Sequence, residues 1–317
     1  MAKQERREPA GHFSEDPIID VATARPSLHV WRLIATGIVL LFVARMLLFL
    51  IQTPNFQWDV VAQYLTFPSI LHGLLVTIVI TVSCTALSIF LGTPIALCRL
   101  SPVLALRAVG GAYVWLFRGL PALVQIVFWF NLAYLLPRIS LGIPFGPVLY
   151  SWSTNKVISP FVAALLGLGL TEAAYVSEII RAGILSVDVG QRDAARSLGL
   201  SALKTFFLIV VPQAMRFILP PMGSQLIGLA KSTSLVSVVA TSDLLFSVEV
   251  IYARTFEVIP LMLVACFWYI VIVSILFVLQ VYLERHFSQG RAEMRSRGTW
   301  WPWGRHRPAA VPGIDLR

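Results

Sequence analysis

The sequence predicts an all-α polytopic membrane protein, and three observations carry that prediction. The first is composition. Of 317 residues, 57% are hydrophobic and 13% charged, against about 45–50% and about 25% in soluble domains. A soluble fold of this length could not cover so much apolar surface, and a disordered chain needs low hydrophobicity. The second is length. Six apolar stretches, 33–51, 70–98, 110–136, 157–185, 218–241 and 259–283, reach the about 20 residues that a bilayer crossing requires. The third is the placement of the 25 Lys and Arg. With the N-terminus taken as cytoplasmic, 20 of them fall in the two tails and the inner loops. Arg138, Lys156 and Arg254 fall outside, and Arg45 and Lys231 within spans. This asymmetry orients a membrane protein, since inner loops collect basic residues. It predicts both termini on the cytoplasmic side and an even number of spans.

Taken in order, residues 1–30 are polar and charged and read as a cytoplasmic tail. They also separate the first apolar run too far from the start for a cleavable signal, so 33–51 is expected to be a retained helix. Arg45 lies five or six residues from its outer end, placed to snorkel outward or to pair with another helix. Pro94 and Pro220-Pro221 read as kinks or breaks within spans. The basic tail, 286–317, carries Trp300, Trp301 and Trp303, which suit an interfacial anchor or are simply solvent-exposed. Cys84, Cys98 and Cys266 sit inside apolar runs without a His at ligand spacing, so neither a disulfide framework nor a metal site is expected.

The stretch 187–221 does not read as a plain linker. Gly190 is expected to break the preceding helix. Ala194, Ala195 and Leu198 then recur at helical spacing, opposite Arg192 and Arg196, over 191–198. Gly199 stands where a helix ends in a left-handed residue, and Ser201 can cap a following helix. That second helix is apolar from Phe206 to Val211 and meets Pro212, which has no donor for regular pairing. The small side chains would let the short helix approach another surface closely. An amphipathic helix lying in the membrane interface fits the same pattern.

Charges within spans are costly, about 2.5–3.5 kcal/mol each at the centre. Glu178 and Arg181 are three apart and can pair on one helix face. Glu172, near the middle of 157–185, has no local partner. It either faces a translocation pathway and attracts a cationic group, or pairs with Lys231 midway along 218–241. Lys231 is correspondingly a counter-ion or a contact for a carboxylate. Ser232, Thr233 and Ser234 read as helix-packing hydroxyls or as ligands.

Asp193-Ala194-Ala195, three residues, Gly199, nine residues, Ile209, two residues and Pro212 resemble the Glu-Ala-Ala (EAA) loop of bacterial ABC importer permeases, with Asp for Glu and Val211 for Leu. More of the chain is similar to the polar amino-acid branch of that family (histidine, glutamine and opine types). Residues 73–82 look like the start of its first core helix. Phe117-Arg118-Gly119-Leu120-Pro121 with Gln125 is similar to its Phe-Arg-Gly-Thr-Pro…Gln stretch. Ala174-Tyr175, Glu178, Arg181 and Gly190-Gln191 follow its Ala-Tyr-x-x-Glu-x-x-Arg…Gly-Gln pattern, continued by Pro212-Gln213-Ala214-x-Arg216 and Lys231-Ser232-Thr233-Ser234-Leu235. Glu172-Ala173-Ala174 mimics the loop motif but has Glu178 where the glycine belongs.

The resemblance implies a type I ABC importer permease core of five helices over 68–285, with the EAA loop at 187–221 and an extra N-terminal helix with its periplasmic loop at 31–67. It implies a multi-pass protein of the bacterial inner membrane. Its implied partners are two ATPase subunits, a periplasmic substrate-binding protein, membrane lipid and a second permease, either a copy or a paralogue. ATPase coupling would fall to Gly190, Gln191, Asp193, Ala194, Ala195, Gly199, Ile209 and Pro212. Glu172, Tyr175, Lys231 and Ser234 are the candidates for the substrate pathway, and Glu178–Arg181 for a structural charge pair. No Gly-x-x-x-x-Gly-Lys-Ser/Thr loop is present. The chain is therefore expected to be non-catalytic and to bind no cofactor or metal, with ATP and Mg on the partner, and no nucleic-acid partner is expected. An ion-coupled secondary transporter is the rival reading, which would need coupling residues at the midplane and often an inverted repeat; Glu172 could serve, but the halves show no repeat. A membrane enzyme lacks a His-Glu-x-x-His or Gly-x-Ser-x-Gly pattern to support it.

Overall fold

A computed structural model describes residues 30–142 and 148–288; most of the two tails, including Trp300, Trp301 and Trp303, lies outside the described residues. The chain divides into two units at Pro54. In the first, α1 (Val30–Gln52) is a single apolar helix that includes Arg45. The second unit holds everything else.

Its frame is α3 (Pro68–Leu100) packed along α8 (Pro160–Leu185). The α3 sequence explains how. Gly73, Thr77 and Thr81, then Cys84, Ser88, Gly92 and Ala96, recur every fourth position, and all are buried. Lipid tails are as apolar as a leucine side chain, so helices associate in a bilayer where small residues let backbones approach. A Cβ on Gly92 would meet the Ala173 carbonyl oxygen at 2.9 Å. The buried threonine hydroxyls are satisfied: Thr81 Oγ1 donates to the Thr77 carbonyl at 2.8 Å, and Thr77 Oγ1 accepts from the Leu244 N–H at 3.0 Å.

The stretch expected to span continuously over 110–136 is broken. Helix α4 (Leu104–Gly119) and α5 (Ala122–Phe130) meet at 97°. The cause is local. Pro121 has no N–H, and its ring disfavours helical geometry in the residue before it; Leu120 is accordingly extended, with ψ 134°. The break frees carbonyls at the end of α4, which in lipid would cost several kcal/mol each. Gln125 takes up two, its Nε2 donating to the carbonyls of Phe117 at 3.2 Å and Leu120 at 3.1 Å. On its far side α5 crosses α8 at Gly167, where a Cβ would lie 2.8 Å from the Ile126 amide nitrogen.

Beyond α5, a short helix α6 (Leu132–Leu135) leads into a hairpin of β1 (Arg138–Gly142) and β2 (Val148–Ser153), then α7 (Thr154–Val157) and α8. At the opposite end of α8 comes α9 (Val189–Ser197). The next segment runs without a break through α10 (Ala202–Thr205), a π-helical turn (Phe206–Val210), α11 (Val211–Ser232) and a 3-10 stretch to Val239. The separate second helix expected at the membrane face is therefore the first part of a 38-residue span. The π turn lies just before Pro212, whose missing donor would otherwise interrupt the ladder. Pro94, Pro220 and Pro221 also sit inside continuous helices. Helices α12 (Leu244–Thr255) and α13 (Val258–Ser288) complete the unit, with α2 (Trp58–Leu65) packed on α13 and the Trp268 indole donating to the Leu65 carbonyl at 2.9 Å. Among the described residues five helices are long and apolar enough to cross a bilayer, and the count rises to six where the bent pair is taken as one broken span.

Gly167→Val should overpack the α8–α5 crossing, cost about 1–3 kcal/mol and lower Tm in detergent. Gly111→Ala, where a Cβ meets open space, should leave Tm level or slightly raised.

Candidate functional site

Two places gather the functional candidates. The first is α9. Helix α8 ends at Leu185, and Asp188 restarts the chain as an N-cap, its Oδ1 accepting from the Gly190 N–H at 2.6 Å. Gly190 therefore lies inside α9 and does not break α8; the break falls at 186–188. The helix closes as its sequence requires. Gly199 takes φ +76°, its N–H donating to the Arg196 carbonyl at 2.9 Å and that of Leu200 to the Ala195 carbonyl at 3.1 Å. This is a Schellman closure, in which a glycine carries the left-handed residue without strain. Ser201 caps α10, accepting from the Lys204 N–H.

Three contacts fix α9 to the membrane helices. Arg192 Nη2 donates to the Ile184 carbonyl at 2.8 Å, satisfying a carbonyl at the end of α8. Gln213 on α11 donates to Gln191 Oε1 at 3.3 Å. Ala195 is buried. Ala194 and Leu198, expected to share its face, are exposed instead, Leu198 at 82%; of the two alanines only Ala195 is buried. Asp193 is exposed and pairs with Arg196 at 3.7 Å, a contact worth little in water. Ile209 lies within the π turn and Pro212 in the first turn of α11.

The second place is the middle of α8. Glu172 is 8% exposed, and its Oε2 accepts from Gln225 Nε2 on α11 at 2.7 Å. Gln225, not Lys231, is its partner. A cavity of about 580 Å³ opens beside this pair, lined also by Thr171, Tyr175, Ser232 and Arg118. The Arg118 guanidinium sits 4.8 Å from the centre of the Tyr175 ring, a cation–π distance. Of the pathway candidates, Glu172 and Tyr175 thus come together. Lys231 is exposed, and the Ser234 hydroxyl donates to the Lys231 carbonyl at 2.8 Å; neither lines this cavity. Arg118, counted from sequence among the inner-loop cations, is 14 residues into α4, about 21 Å along it at the helical rise. It lies at the cavity because the chain does not turn until Leu120. Gln225 carried no sequence signal, being 53 residues from Glu172.

Nearer the α9 end of α8, Arg181 Nη2 and Nε donate to Glu178 Oε2 at 3.0 and 3.2 Å. Arg99, in the last turn of α3, pairs with Glu178 Oε1. One carboxylate therefore bridges two guanidiniums and ties α3 to α8, a role for Arg99 that sequence spacing could not show.

Residues 88–289, more than half of the chain, match the family described as binding-protein-dependent transport system inner membrane component. The chain is 39% identical over 270 residues to the arginine transport system permease protein ArgU of Corynebacterium glutamicum, covering 84% of this chain and 83% of that protein. It is 34% identical to the L-cystine transport system permease protein TcyB of Bacillus subtilis, over 73% of this chain and 92% of that one. It is 35% identical to the glutamate/aspartate import permease protein GltK of Escherichia coli, over 73% and 98%. A crystal structure of an amino acid ABC transporter with histidines superposes at TM-score 0.58 and 30% identity, over 69% of this chain and 94% of that one. The methionine transporter MetNI, at 15% identity and TM-score 0.57, shares the fold.

Glu178→Gln should strand the Arg99 and Arg181 guanidiniums and cost about 1–3 kcal/mol or more, since unmet charged donors are expensive. Thermal unfolding in detergent checks this, and adding Arg99→Gln should recover part of the loss.

Proposed function

We propose that this chain, which belongs to the family of binding-protein-dependent transport system inner membrane components, is the membrane-spanning permease of an ATP-driven amino-acid importer, with α9 as the point where a separate ATPase pushes on it. The observation that carries the reading is the mounting of α9. Its inner side is held by Arg192, Gln191 and Ala195, while Asp193, Ala194 and Leu198 stay exposed. A helix held on one side and bare on the other suits a lever: a partner gripping the bare side moves α8 and α11 as packed bodies. The nucleotide and its Mg would sit on that partner, because the chain carries no phosphate loop. The excess of Lys and Arg supports placing α9 and both termini in the cytoplasm. A substrate-binding protein would then deliver from the other side, beside a second permease chain. The family's dependence on a binding protein weighs against a carrier driven by ions alone.

The relatives' names span arginine, cystine and glutamate/aspartate. The cavity supports a zwitterion as cargo. Arg118 offers a fork for a carboxylate, and Glu172, with Oε2 held by Gln225, keeps Oε1 for an ammonium or guanidinium.

Gly199→Pro cannot adopt φ +76°, and Asp193→Lys reverses the charge on the bare side. Each should abolish ATP-driven uptake in reconstituted vesicles while the protein stays in the membrane; normal uptake by a well-expressed Gly199→Pro chain contradicts the lever. Glu172→Gln should raise KM for arginine roughly 10-fold or more, as a bond to a charged group is worth about 1.5–3 kcal/mol, and spare uncharged substrates. Equal uptake of all substrates would remove Glu172 from the pathway.

A further inference from the structure

The β1–β2 hairpin is the feature the transport reading leaves unused. It lies at the end of α8 opposite α9. Its pairing sorts its side chains in two. Ile139 opposes Trp152, and Tyr150 lies two residues along on the same face, its ring stacked on Trp152 at 5.8 Å and 12°. Ser140 opposes Ser151, and Arg138 opposes Ser153, on the other face, while exposed Leu149 falls at the irregularity where the register shifts. Along the regular pairing one face is thus aromatic and aliphatic, the other hydroxylic and basic. Among the described residues the aromatic part of that face is largely uncovered, Tyr150 being 63% and Trp152 48% exposed, with Ile139 partly covered. The patch continues into α6, where Tyr134 and Leu135 are 87% and 68% exposed.

The hairpin is nevertheless firmly placed. Buried Thr154 donates its N–H to the Pro137 carbonyl at 3.1 Å and its hydroxyl to the Leu136 carbonyl, closing the base of the loop against α6. A two-stranded sheet is marginal in water unless something covers its apolar face. We propose that the outer surface of the bilayer covers it: the hairpin lies flat in the headgroup layer, with Ile139, Tyr150 and Trp152 toward the acyl chains and Arg138 toward phosphate and water. Three features select lipid as the occupant. Trp and Tyr gather at the membrane interface because each has an apolar body and a polar tip. Residues 131–160 carry Arg138 and Lys156 and no Asp or Glu, which complements anionic headgroups. Among the described residues no further strand pairs with either sheet edge, and unpaired edge donors and acceptors are forbidden in the hydrocarbon core but satisfied in the headgroup layer. The anchor would set the height of α6 and of the start of α8 in the membrane. It rests on the chain spanning a bilayer with α9 on the inner side and not on the coupling role of α9, so it can fail while the transport reading stands, and the reverse.

The test uses the full chain in vesicles of phosphatidylethanolamine and phosphatidylglycerol, with Cys84→Ala, Cys98→Ala and Cys266→Ala as background. Single cysteines are introduced as Tyr150→Cys, Trp152→Cys, Ser140→Cys or Ser151→Cys and labelled with an environment-sensitive fluorophore. The expected result is alternation. Labels at Tyr150→Cys and Trp152→Cys emit to the blue and are quenched by lipid carrying a spin label high on its acyl chain. Those at Ser140→Cys and Ser151→Cys are quenched by aqueous iodide. Iodide reaching all four alike overturns the proposal, and so does a disordered hairpin, which would give the same uniform result. Shielding at Tyr150→Cys and Trp152→Cys without lipid quenching, or only after a secreted binding protein is added, also overturns it and assigns the face to a protein.

Discussion

The close approach of α3 and α5 to α8 is the constraint on which the rest of the structure depends. Without it, α8 could not place Glu172 beside the cavity or Glu178 within reach of Arg99. The approach is made by small side chains rather than by the hydrophobic effect, because a bilayer offers apolar residues little reason to leave it. Gly92 and Gly167 mark the two points where a single added methyl would reach a neighbouring backbone. The polar groups that the geometry exposes are then met from within: Gln125 covers the broken end of α4, and Arg192 the end of α8.

Much of this was legible in the sequence. Apolar length gave the spans, and Gly199 gave the left-handed closure of α9, because only a residue without Cβ adopts that conformation freely. What was not legible has physical causes. Composition alone cannot tell a straight span from a bent one; the 97° turn depends on Pro121 and on Gln125 being near enough to satisfy what the turn releases. The same error placed Arg118 in an inner loop. Gly190 looked like a helix breaker, but near a helix start a glycine is tolerated when an Asp188 side chain caps its amide. Glu172 and Gln225 meet across two helices, and no local pattern announces a contact 53 residues apart.

The two candidate places belong to one body. Helix α8 carries Glu172 near its middle and leads directly into α9, while α11 supplies both Gln225 to the cavity and Gln213 to α9. Two packed helices therefore join α9 to the cavity, which is the connection the proposed lever requires. The Glu178 bridge lies between the two and ties α3 to α8.

The most direct measurement is accumulation of labelled amino acid in vesicles that hold this chain together with an ABC ATPase subunit, with binding protein on the membrane side opposite the nucleotide. Uptake against a gradient should require ATP hydrolysis and survive an ionophore that collapses proton and sodium gradients. Accumulation by the permease alone, driven by an ion gradient with no ATPase present, would contradict it.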